Sequence, residues 1–515
     1  MHNADLRLAI SKQDQRTIGW AFLLQLVAVI PLLIADRYNV DDWGRSVLGY
    51  FTWVNDGRPL ADSVMRTLDD GGPFTDFAPL PLLFGIFLLA VIATLLGKRL
   101  GSGPPVITAV AALSLGLNPL FLANLSYKFD ILPMTLGLVL AASPVFLFDL
   151  LDRRPILTAI SGALLLYGSL CLYQACINVF LVLVLVELIL GLRKQIKPGR
   201  LTKCLLISLS QFSVALLAYK LLVASNLKGA YAAEHSPLVS GSGAFAAIWS
   251  NTVEYWSLVW RAAYGHLRLP LLFVPGVTMV YSIVIGIRYV IRSGGSSRWA
   301  GLLSLFLLLA ILVGFVLACP GVLVLLKAPT GGGRVYAGYC VLVFASFCLL
   351  ISIVRDMQIN DIVVFCVTAV LILPVVVFSA TYANASKAQK YYETHIANLI
   401  SDDVLSLSNT GSITHLTTIG EIGFAPNVQR IYLKKYPFLS AIIPVGLSND
   451  AAGGFGNAML QFWGVPFDKR SQPEDRQKLV EQLSADNLVK ETPYYQIYRL
   501  EHDIVLRLKT IKSNP

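Results

Sequence analysis

Charged residues are scarce in this chain. Asp, Glu, Lys and Arg make up 14% of its 515 residues, against about 25% in a typical soluble domain, which argues against a soluble globular protein. All seven cysteines fall in or beside apolar runs, so neither a disulfide framework nor a CxxC motif is indicated. The six histidines are widely spaced. We therefore expect no metal and no other cofactor.

Long apolar runs are what the sequence has instead. A window of roughly 17 to 25 apolar residues can cross a hydrocarbon layer about 30 Å thick, and eleven such windows occupy the first three quarters of the chain. They lie at about 18–35, 78–96, 104–122, 131–150, 155–172, 175–192, 203–224, 270–291, 300–318, 335–354 and 359–381. The sequence thus predicts a polytopic α-helical membrane protein. The first run resembles a signal peptide, but no small-x-small cleavage site precedes Asp36, so we expect it to be retained as a span.

The distribution of positive charge predicts the side on which each connection lies. Lys and Arg collect at the N-terminus and at every second connection, which is typical of cytoplasmic sides. We place the N-terminus in the cytoplasm and the C-terminus in the periplasm, across a bacterial inner membrane. Residues 1–382 carry 27 Lys+Arg against 18 Asp+Glu, and residues 383–515 carry 14 against 13. The net charge of +10 therefore reflects topology and indicates no nucleic-acid partner.

A change of pattern near residue 383 predicts a domain boundary. Continuous apolar runs give way to mixed segments with turns, so we expect a transmembrane domain over 1–382 and a small exported α/β domain, the tail, over 383–515. Strands are predicted at 412–420 and 439–447, helices at 426–437 and 473–485, and a hairpin over 494–509. The glycines of GGFGNAM, at 453–459, lack the spacing of a nucleotide-binding loop and indicate a turn before a helix.

The first exported loop, residues 36–77, is rich in charged and aromatic residues. Read as a helix, residues 41–55 form one apolar stripe, which suits a helix lying in the membrane interface. The stripe consists of Trp43, Val47, Tyr50, Phe51 and Val54. Asp41 and Arg45, four residues apart, are able to pair on another face. Pro59 predicts the start of a second helix.

Two adjacent carboxylates, Asp41 and Asp42, open the first of these helices. One of them suits the helix N-terminus, because free N–H groups and the helix dipole stabilise a carboxylate there. The other suits a general base aimed into a cavity, where partial desolvation would raise its pKa. The residues alone leave open which carboxylate has which role.

At this loop the sequence resembles a known family. The Asp-Asp pair followed by GRSVLGYFTWVNDGRPLAD is similar to the O-antigen-modifying glucosyltransferases of serotype-converting bacteriophages, the Gtr type, within the GT-C architecture of membrane glycosyltransferases. The segments YKFDILPMTLGLVLA (127–141) and LYQACINVFLVL (172–183) are further similarities. The resemblance covers about the first 380 residues and is most specific in the first loop. The tail resembles no family that we can name.

The resemblance implies a glycosyltransferase that acts on the periplasmic face. Its donor would be a polyprenyl-phosphate sugar, usually glucose, and its acceptor lipopolysaccharide or lipid-linked O-antigen, with membrane lipids around both. A flippase and a polyprenyl-phosphate sugar synthase would cooperate with it. Asp41 and Asp42 become the candidate base and its partner. Arg45 and Arg58, in the same loop, are further candidates for substrate or phosphate binding. A single, metal-independent displacement would invert the anomeric configuration.

Other polar residues on the exported side are candidates for substrate binding. Tyr127, Lys128 and Asp130 lie at the entrance to the fourth span, where Lys128 either forms an ordinary ion pair with Asp130 or binds the donor phosphate. Lys327 and Arg334 flank three glycines whose backbone can approach an anion, although the same residues make an ordinary turn. Of these two cations, Arg334 better matches a phosphate.

The long exported loop at 225–268 carries two further candidates, Trp256 and Arg268. An interfacial helix explains both, while stacking of a sugar on Trp256 and contact of Arg268 with a lipid phosphate are the functional interpretations. Tyr173 and Gln174, at a turn between two spans, either pack or hydrogen-bond to a sugar, because an unpaired amide is costly there.

Other functions compete with this interpretation. A transporter or flippase for lipid-linked saccharides typically has internal repeats and charged midplane helices, and no clear repeat is visible in the sequence. An O-antigen polymerase would act on the same side without requiring the acidic first loop. A structural partner in envelope assembly would use the tail for binding.

Overall fold

The structure is a computed structural model that describes residues 10–227, 237–329, 332–408, 415–448, 455–465, 469–470, 478–500 and 503–510. Over these residues the chain is a bundle of long helices followed by a small β-sheet. The helices are α1 (Lys12–Ala35), α2 (Asp41–Leu48), α3 (Pro59–Leu68), α4 (Leu80–Leu100), α5 (Pro105–Gly116), α6 (Leu122–Leu125), α7 (Ile131–Ala142), α8 (Pro155–Leu172), α9 (Ile177–Arg193), α10 (Pro198–Leu222), α11 (Ala244–Ala262), α12 (Val274–Ser296), α13 (Arg298–Leu317), α14 (Ala337–Asp356), α15 (Asp361–Ser408) and α16 (Phe455–Phe462).

Ten helical segments of the described chain are long and apolar enough to cross a membrane. They are Lys12–Ala35, Leu80–Leu100, Ile131–Leu150, Pro155–Leu172, Gln174–Arg193, Pro198–Asn226, Gly265–Gly295, Arg298–Leu317, Ala337–Asp356 and Asp361–Leu407. A multi-pass helical protein is thereby confirmed. The predicted span at 104–122 contains only the 12-residue helix α5, which is about 18 Å long at 1.5 Å per residue. The count of eleven crossings stays a prediction.

Ion pairs join the first membrane helices at both of their ends. At the predicted cytoplasmic side, the Lys98 ammonium near the end of α4 pairs with Asp14 near the start of α1 at 2.7 Å. At the predicted exported side, Lys128 pairs with Asp36, which directly follows α1. The end of α4 and the end of α1 thus lie at opposite sides of the bundle, and the segment that contains α5 and α6 runs from the first side to the second.

The first exported loop contains two short helices, but the first is shorter than predicted. α2 ends before Gly49, whose φ of +61° lies in the left-handed region. A Cβ atom at Gly49 would lie 3.2 Å from the Cβ atom of Pro73, so only glycine fits there without strain. The prediction of a helix over 41–55 is therefore confirmed for residues 41–48 and wrong for the residues after them. α3 begins at Pro59, as predicted.

Ending α2 at this point divides the predicted apolar stripe. Trp43, on α2, is buried, whereas Val54 is exposed in the turn that follows. Phe51 packs edge-to-face on Phe74, with 5.1 Å between ring centroids. The stripe is thus distributed over two packing environments and does not form one interfacial face.

The last membrane helix continues without interruption into the tail. α15 runs through residue 383, where the sequence predicts a domain boundary, and ends at Ser408. The strands are β1 (His415–Ile419), β2 (Lys469–Arg470), β3 (Leu488–Glu491), β4 (Tyr495–Leu500) and β5 (Asp503–Leu508). They form one sheet in the order β2–β1–β5–β4–β3, with β1 parallel to both of its neighbours and the other pairs antiparallel.

The tail confirms some local predictions and corrects one. The predicted hairpin is β4 and β5, and β1 lies within the predicted strand at 412–420. The predicted strand at 439–447 is wrong, because this segment begins as a 3₁₀ turn, Pro437–Ala441, and continues irregularly. The helix predicted at 426–437 is helical over most of its length. Parts of the segments predicted at 453–459 and 473–485 lie outside the described residues.

Candidate active site

Asp130, which directly precedes α7, is the centre of a buried group of charges. Its carboxylate pairs with the guanidinium groups of Arg45 at 2.6 Å and Arg58 at 3.3 Å. It also accepts a hydrogen bond from the indole of Trp53 at 2.8 Å. The Arg45 guanidinium lies over the Trp53 ring, 4.1 Å from its centroid. Because Arg45 and Asp130 are almost inaccessible to water, each depends on the other for charge compensation.

The ion pairs differ from those that sequence spacing suggested. Arg45, which is spaced to pair with Asp41, is directed at Asp130 instead. The predicted pair of Lys128 with Asp130 is wrong, since the Lys128 ammonium pairs with Asp36. The physical reason is tertiary: the end of α1 lies beside the turn before α7. Lys128 therefore compensates a carboxylate 92 residues away in the chain.

Asp42 is fully buried and connects α2 to the turn before α7. Its Oδ2 atom accepts hydrogen bonds from the backbone N–H groups of Asn39 at 2.9 Å and Lys128 at 3.0 Å. Both donors lie outside α2, so this carboxylate does not cap the helix. Burial, reinforced by the negative charge of Asp130, raises the pKa of Asp42 to about 8. We call Asp42, Arg45, Arg58 and Asp130 the charged cluster.

Asp41 occupies a more open position on the same helix turn, where it is only partly buried. It lies within electrostatic reach of Asp56 and Tyr127. Burial raises the pKa of Asp56; the positive charge of Arg58 opposes this shift and the negative charge of Asp41 adds to it. Asp41 thus shares its surroundings with a second carboxylate and with one of the predicted substrate-binding tyrosines.

Two tyrosines connect the first loop to the distant segment that carries Arg334. The Arg334 guanidinium donates a hydrogen bond to the Tyr127 hydroxyl at 2.8 Å. The Tyr173 hydroxyl donates to the backbone carbonyl of Arg334 at 3.1 Å. The Arg58 guanidinium lies over the Tyr173 ring, 5.0 Å from its centroid. Tyr173 thus contacts the guanidinium of Arg58 and the backbone carbonyl of Arg334, two residues that are far apart in sequence.

Gln174, predicted to pack or to bind a sugar, holds the first loop in place. Its amide nitrogen donates to the backbone carbonyl of Asp56 at 2.8 Å and to the Tyr219 hydroxyl at 2.9 Å. These contacts join the turn between α8 and α9 to the segment between α2 and α3. They satisfy the amide that would be costly to leave unpaired.

Three predicted site residues have their described contacts elsewhere. The indole N–H of Trp256 donates to the backbone carbonyl of Val316 at 3.1 Å, which favours the packing role. Arg268 is exposed and lies over the Trp260 ring, 5.8 Å from its centroid. The side chain of Lys327 is also exposed. The structure therefore brings ten of the thirteen predicted site residues together around the first loop. These ten are Asp41, Asp42, Arg45, Arg58, Tyr127, Lys128, Asp130, Tyr173, Gln174 and Arg334.

A cavity of about 510 Å³ lies beside the charged cluster, and we call it the α1–α4 cavity. It is bounded by the end of α1, the start of α4, the turn before α7, and α15. Asn39 and Lys128, whose N–H groups hold Asp42, are both part of its wall. The lining residues are Leu32, Leu33, Ala35, Asp36, Arg37, Tyr38, Asn39, Asp76, Ala78, Pro79, Leu82, Leu125, Ser126, Tyr127, Lys128, Tyr382 and Ser386.

The tail packs directly on α2. The ring of Trp43 lies 5.5 Å from that of Phe462, at the end of α16, and belongs to the hydrophobic core of the tail. Tyr38 completes this aromatic group, 5.0 Å from Trp43 between centroids. Arg37 forms a buried ion pair of 2.9 Å with Glu393 of α15. The helix that carries Asp41 is therefore held from the tail side as well as from the membrane side.

Sequence reasoning missed several residues of this region. Trp53 is fully buried against Asp130, and its presence in the segment that carried the family resemblance was the available signal. Asp36 and Asp76 lie at the two ends of the first loop, next to membrane helices, and this position alone could have marked them. In the described part of the chain, no group of three or more His, Cys, Asp or Glu side chains is arranged to hold a metal ion.

The family model described as "Glucosyl transferase GtrII" matches residues 30–344. The chain belongs to the GtrII glucosyl transferase family. The matched residues begin in α1 and end in α14, so they contain the first exported loop, the charged cluster and Arg334. The tail lies beyond them. Membership supports a glucosyltransferase role for this membrane protein.

A phage protein is similar to this GtrII chain over most of its length. It is described as "Uncharacterized 55.3 kDa protein in gtrB 5'region" of Salmonella phage P22, and it is 28% identical over 455 residues. The similarity covers 86% of this chain and 89% of the phage protein. Together with the family match, it confirms the resemblance to the Gtr type. No solved structure matches the chain, so the GT-C architecture stays a prediction.

Proposed function

We propose that this GtrII protein transfers glucose from a polyprenyl-phosphate donor to the O-antigen of lipopolysaccharide, on the periplasmic face of the bacterial inner membrane. The observation that carries the proposal is the meeting of Asp41, Arg58 and Arg334 around Tyr127 and Tyr173. Glucosyl transfer from a phosphate needs a carboxylate to accept a proton and cations to meet the departing phosphate. These residues supply both within one region.

Asp41 is the carboxylate that we assign as general base. Asp42 is inaccessible to water, and its Oδ2 atom already accepts two backbone hydrogen bonds. With a pKa of about 8, Asp42 holds a proton at neutral pH and is a poor proton acceptor. Asp41 lies on the same helix turn and is only partly buried. Asp42 then acts as a positioning residue that fixes the helix carrying Asp41.

The proposed reaction is a single displacement. The acceptor hydroxyl oxygen attacks the anomeric carbon of glucose, and the bond from that carbon to the phosphate oxygen breaks. The proton of the hydroxyl passes to Asp41, and the electron pair of the broken bond leaves with the polyprenyl phosphate. Arg58 and Arg334 stabilise the negative charge of this leaving group, since guanidinium groups match phosphate oxygens. The anomeric configuration is inverted.

The donor in this proposal comes from two partner activities in the same membrane. A polyprenyl-phosphate sugar synthase makes the lipid-linked glucose, and a flippase brings it to the periplasmic face. The protein itself contributes the positively charged residues that receive the phosphate, so we expect no metal requirement.

Transfer by the purified protein tests the proposal. With polyprenyl-phosphate glucose and lipopolysaccharide in detergent, we expect glucose to enter the polysaccharide and polyprenyl phosphate to be released in equal amount. Nuclear magnetic resonance of the product should show the anomeric configuration opposite to that of the donor. EDTA should leave the rate unchanged. Strict dependence on an added divalent cation, or retention of configuration, would contradict the proposed mechanism.

A further inference from the structure

We propose that the α1–α4 cavity is the subsite for the saccharide of the acceptor, an inference that rests on the proposed function. Its volume of about 510 Å³ lies within the roughly 300–1,000 Å³ that is usual for small-molecule sites. Asp36 and Asp76 lie at its exposed rim. A sugar residue with its neighbour in the polysaccharide can therefore enter from the exported side.

The charges of the lining favour a neutral ligand. Lys128 and Lys390 both pair with Asp36, and Arg37 pairs with Glu393. Asp76 adds a negative charge, so the charges around the cavity balance. A phosphate would instead need an excess of positive charge. Arg58 and Arg334, which we assign to the donor phosphate, are not among the described residues that line the cavity.

The chemistry of the lining matches a saccharide. The wall carries carboxylates, hydroxyls and an ammonium group, which can exchange hydrogen bonds with sugar hydroxyls. Tyr38 and Tyr127 add amphipathic rings, and Leu32 and Leu82 an apolar floor, for the C–H faces of a sugar. Lys128 already pairs with Asp36, and the Tyr38 hydroxyl donates to Asp76, so a sugar hydroxyl would join or replace these existing bonds.

The position of Tyr127 relates the cavity to the proposed reaction centre. Tyr127 lines the cavity, and its hydroxyl accepts a hydrogen bond from Arg334, which we assign to the donor phosphate. Tyr127 also lies within electrostatic reach of Asp41. An acceptor sugar in the cavity would therefore approach the donor past Tyr127, near the residue assigned as base.

Filling the cavity tests this inference. Ser386 of α15 is buried and lines the cavity, so Ser386→Phe places a ring in the proposed sugar site. Asn384→Phe, two residues earlier on the same helix and exposed, is the matched control. We expect Ser386→Phe to raise the KM for lipopolysaccharide about tenfold or more, the equivalent of about 1.4 kcal/mol, with the KM for polyprenyl-phosphate glucose unchanged. The control should change neither value.

A second variant and a binding measurement keep the test independent of folding and of catalysis. Asp76→Ala alters an exposed loop residue and should also raise the acceptor KM selectively. Titration calorimetry with delipidated O-antigen polysaccharide, without donor, should show binding to the wild type and weaker binding to both variants. The inference is overturned if the wild type does not bind the polysaccharide, if neither variant affects it, or if the donor KM rises instead. If the wild type binds the polysaccharide but transfers no glucose, and both variants bind the polysaccharide less tightly, the subsite is supported and the proposed function is rejected.

Discussion

Asp41 and Asp42 are neighbours in the chain, yet they lie in different surroundings. Asp42 accepts two backbone hydrogen bonds and is shielded from water. Asp41 is partly open and lies within electrostatic reach of Tyr127. A helix rotation of about 100° between adjacent residues explains how one side chain enters the protein interior while the other stays partly open to solvent. We therefore expect substitution of Asp41 and substitution of Asp42 to have different effects.

Asp42 should make the stability of the protein dependent on pH. Its pKa is about 8 in the folded state and about 3.9 in an unfolded chain, so folding takes up a proton between these values. The protonated Asp42 carboxyl therefore contributes fully to stability below about pH 4, and this contribution is lost as the pH rises toward about 8. We expect the thermal midpoint of the wild type in detergent to fall over this range relative to that of Asp42→Asn. A constant difference between the two proteins would contradict the assigned pKa.

Asp130 should be essential for the stability of the first loop. Asp130→Asn removes the charge that compensates Arg45, which is buried, and breaking a buried ion pair costs about 3–5 kcal/mol. We expect a loss near the lower end of this range, about 3 kcal/mol, in the free energy of unfolding by denaturant. The control Asp70→Asn, at an exposed position, should stay within about 0.5 kcal/mol of the wild type. Equal stability of Asp130→Asn and the control would show that the charged cluster is not structurally important.

At the scale of single elements, local sequence signals predicted where helices begin better than where they end. Pro59 starts α3 as predicted, because proline suits the first helical position. The apolar spacing of Tyr50 and Phe51 suggested that α2 continues, but the left-handed Gly49 ends it. A side chain at this position would also meet Pro73, a contact that helical periodicity does not reveal.

The partners of the site residues depend on the same kind of long-range contact. The sequence indicated that Lys128, Asp130 and Arg334 lie on the exported side, and the structure places them beside the first loop. The pairing of Arg45 with Asp130 spans 85 residues, so no helical spacing rule could predict it. In the tail, the local hairpin of β4 and β5 was predictable, whereas the parallel pairing of β1 with β5 was not.

At the scale of the whole molecule, the tail contributes to the site by holding α2. Phe462→Ala would remove the ring that packs on Trp43 and Tyr38. Small displacements of catalytic groups are costly, up to about 10²-fold in rate for about 1 Å. We expect kcat for glucose transfer to fall about tenfold, with faster hydrogen exchange in residues 41–48. Val480→Ala, at another exposed apolar position of the tail, is the control and should leave both measurements unchanged. Normal kcat in Phe462→Ala would show that the tail does not position α2.

The most direct test of the account is the rate of glucose transfer by Asp41→Asn, measured beside the wild type at equal amounts of folded protein. A general base contributes about 10²- to 10⁴-fold to a rate, so we predict a loss of kcat of this size with an unchanged thermal midpoint. Asp42→Asn should retain more activity than Asp41→Asn. A wild-type rate in folded Asp41→Asn would contradict the assignment of the base and with it the proposed mechanism.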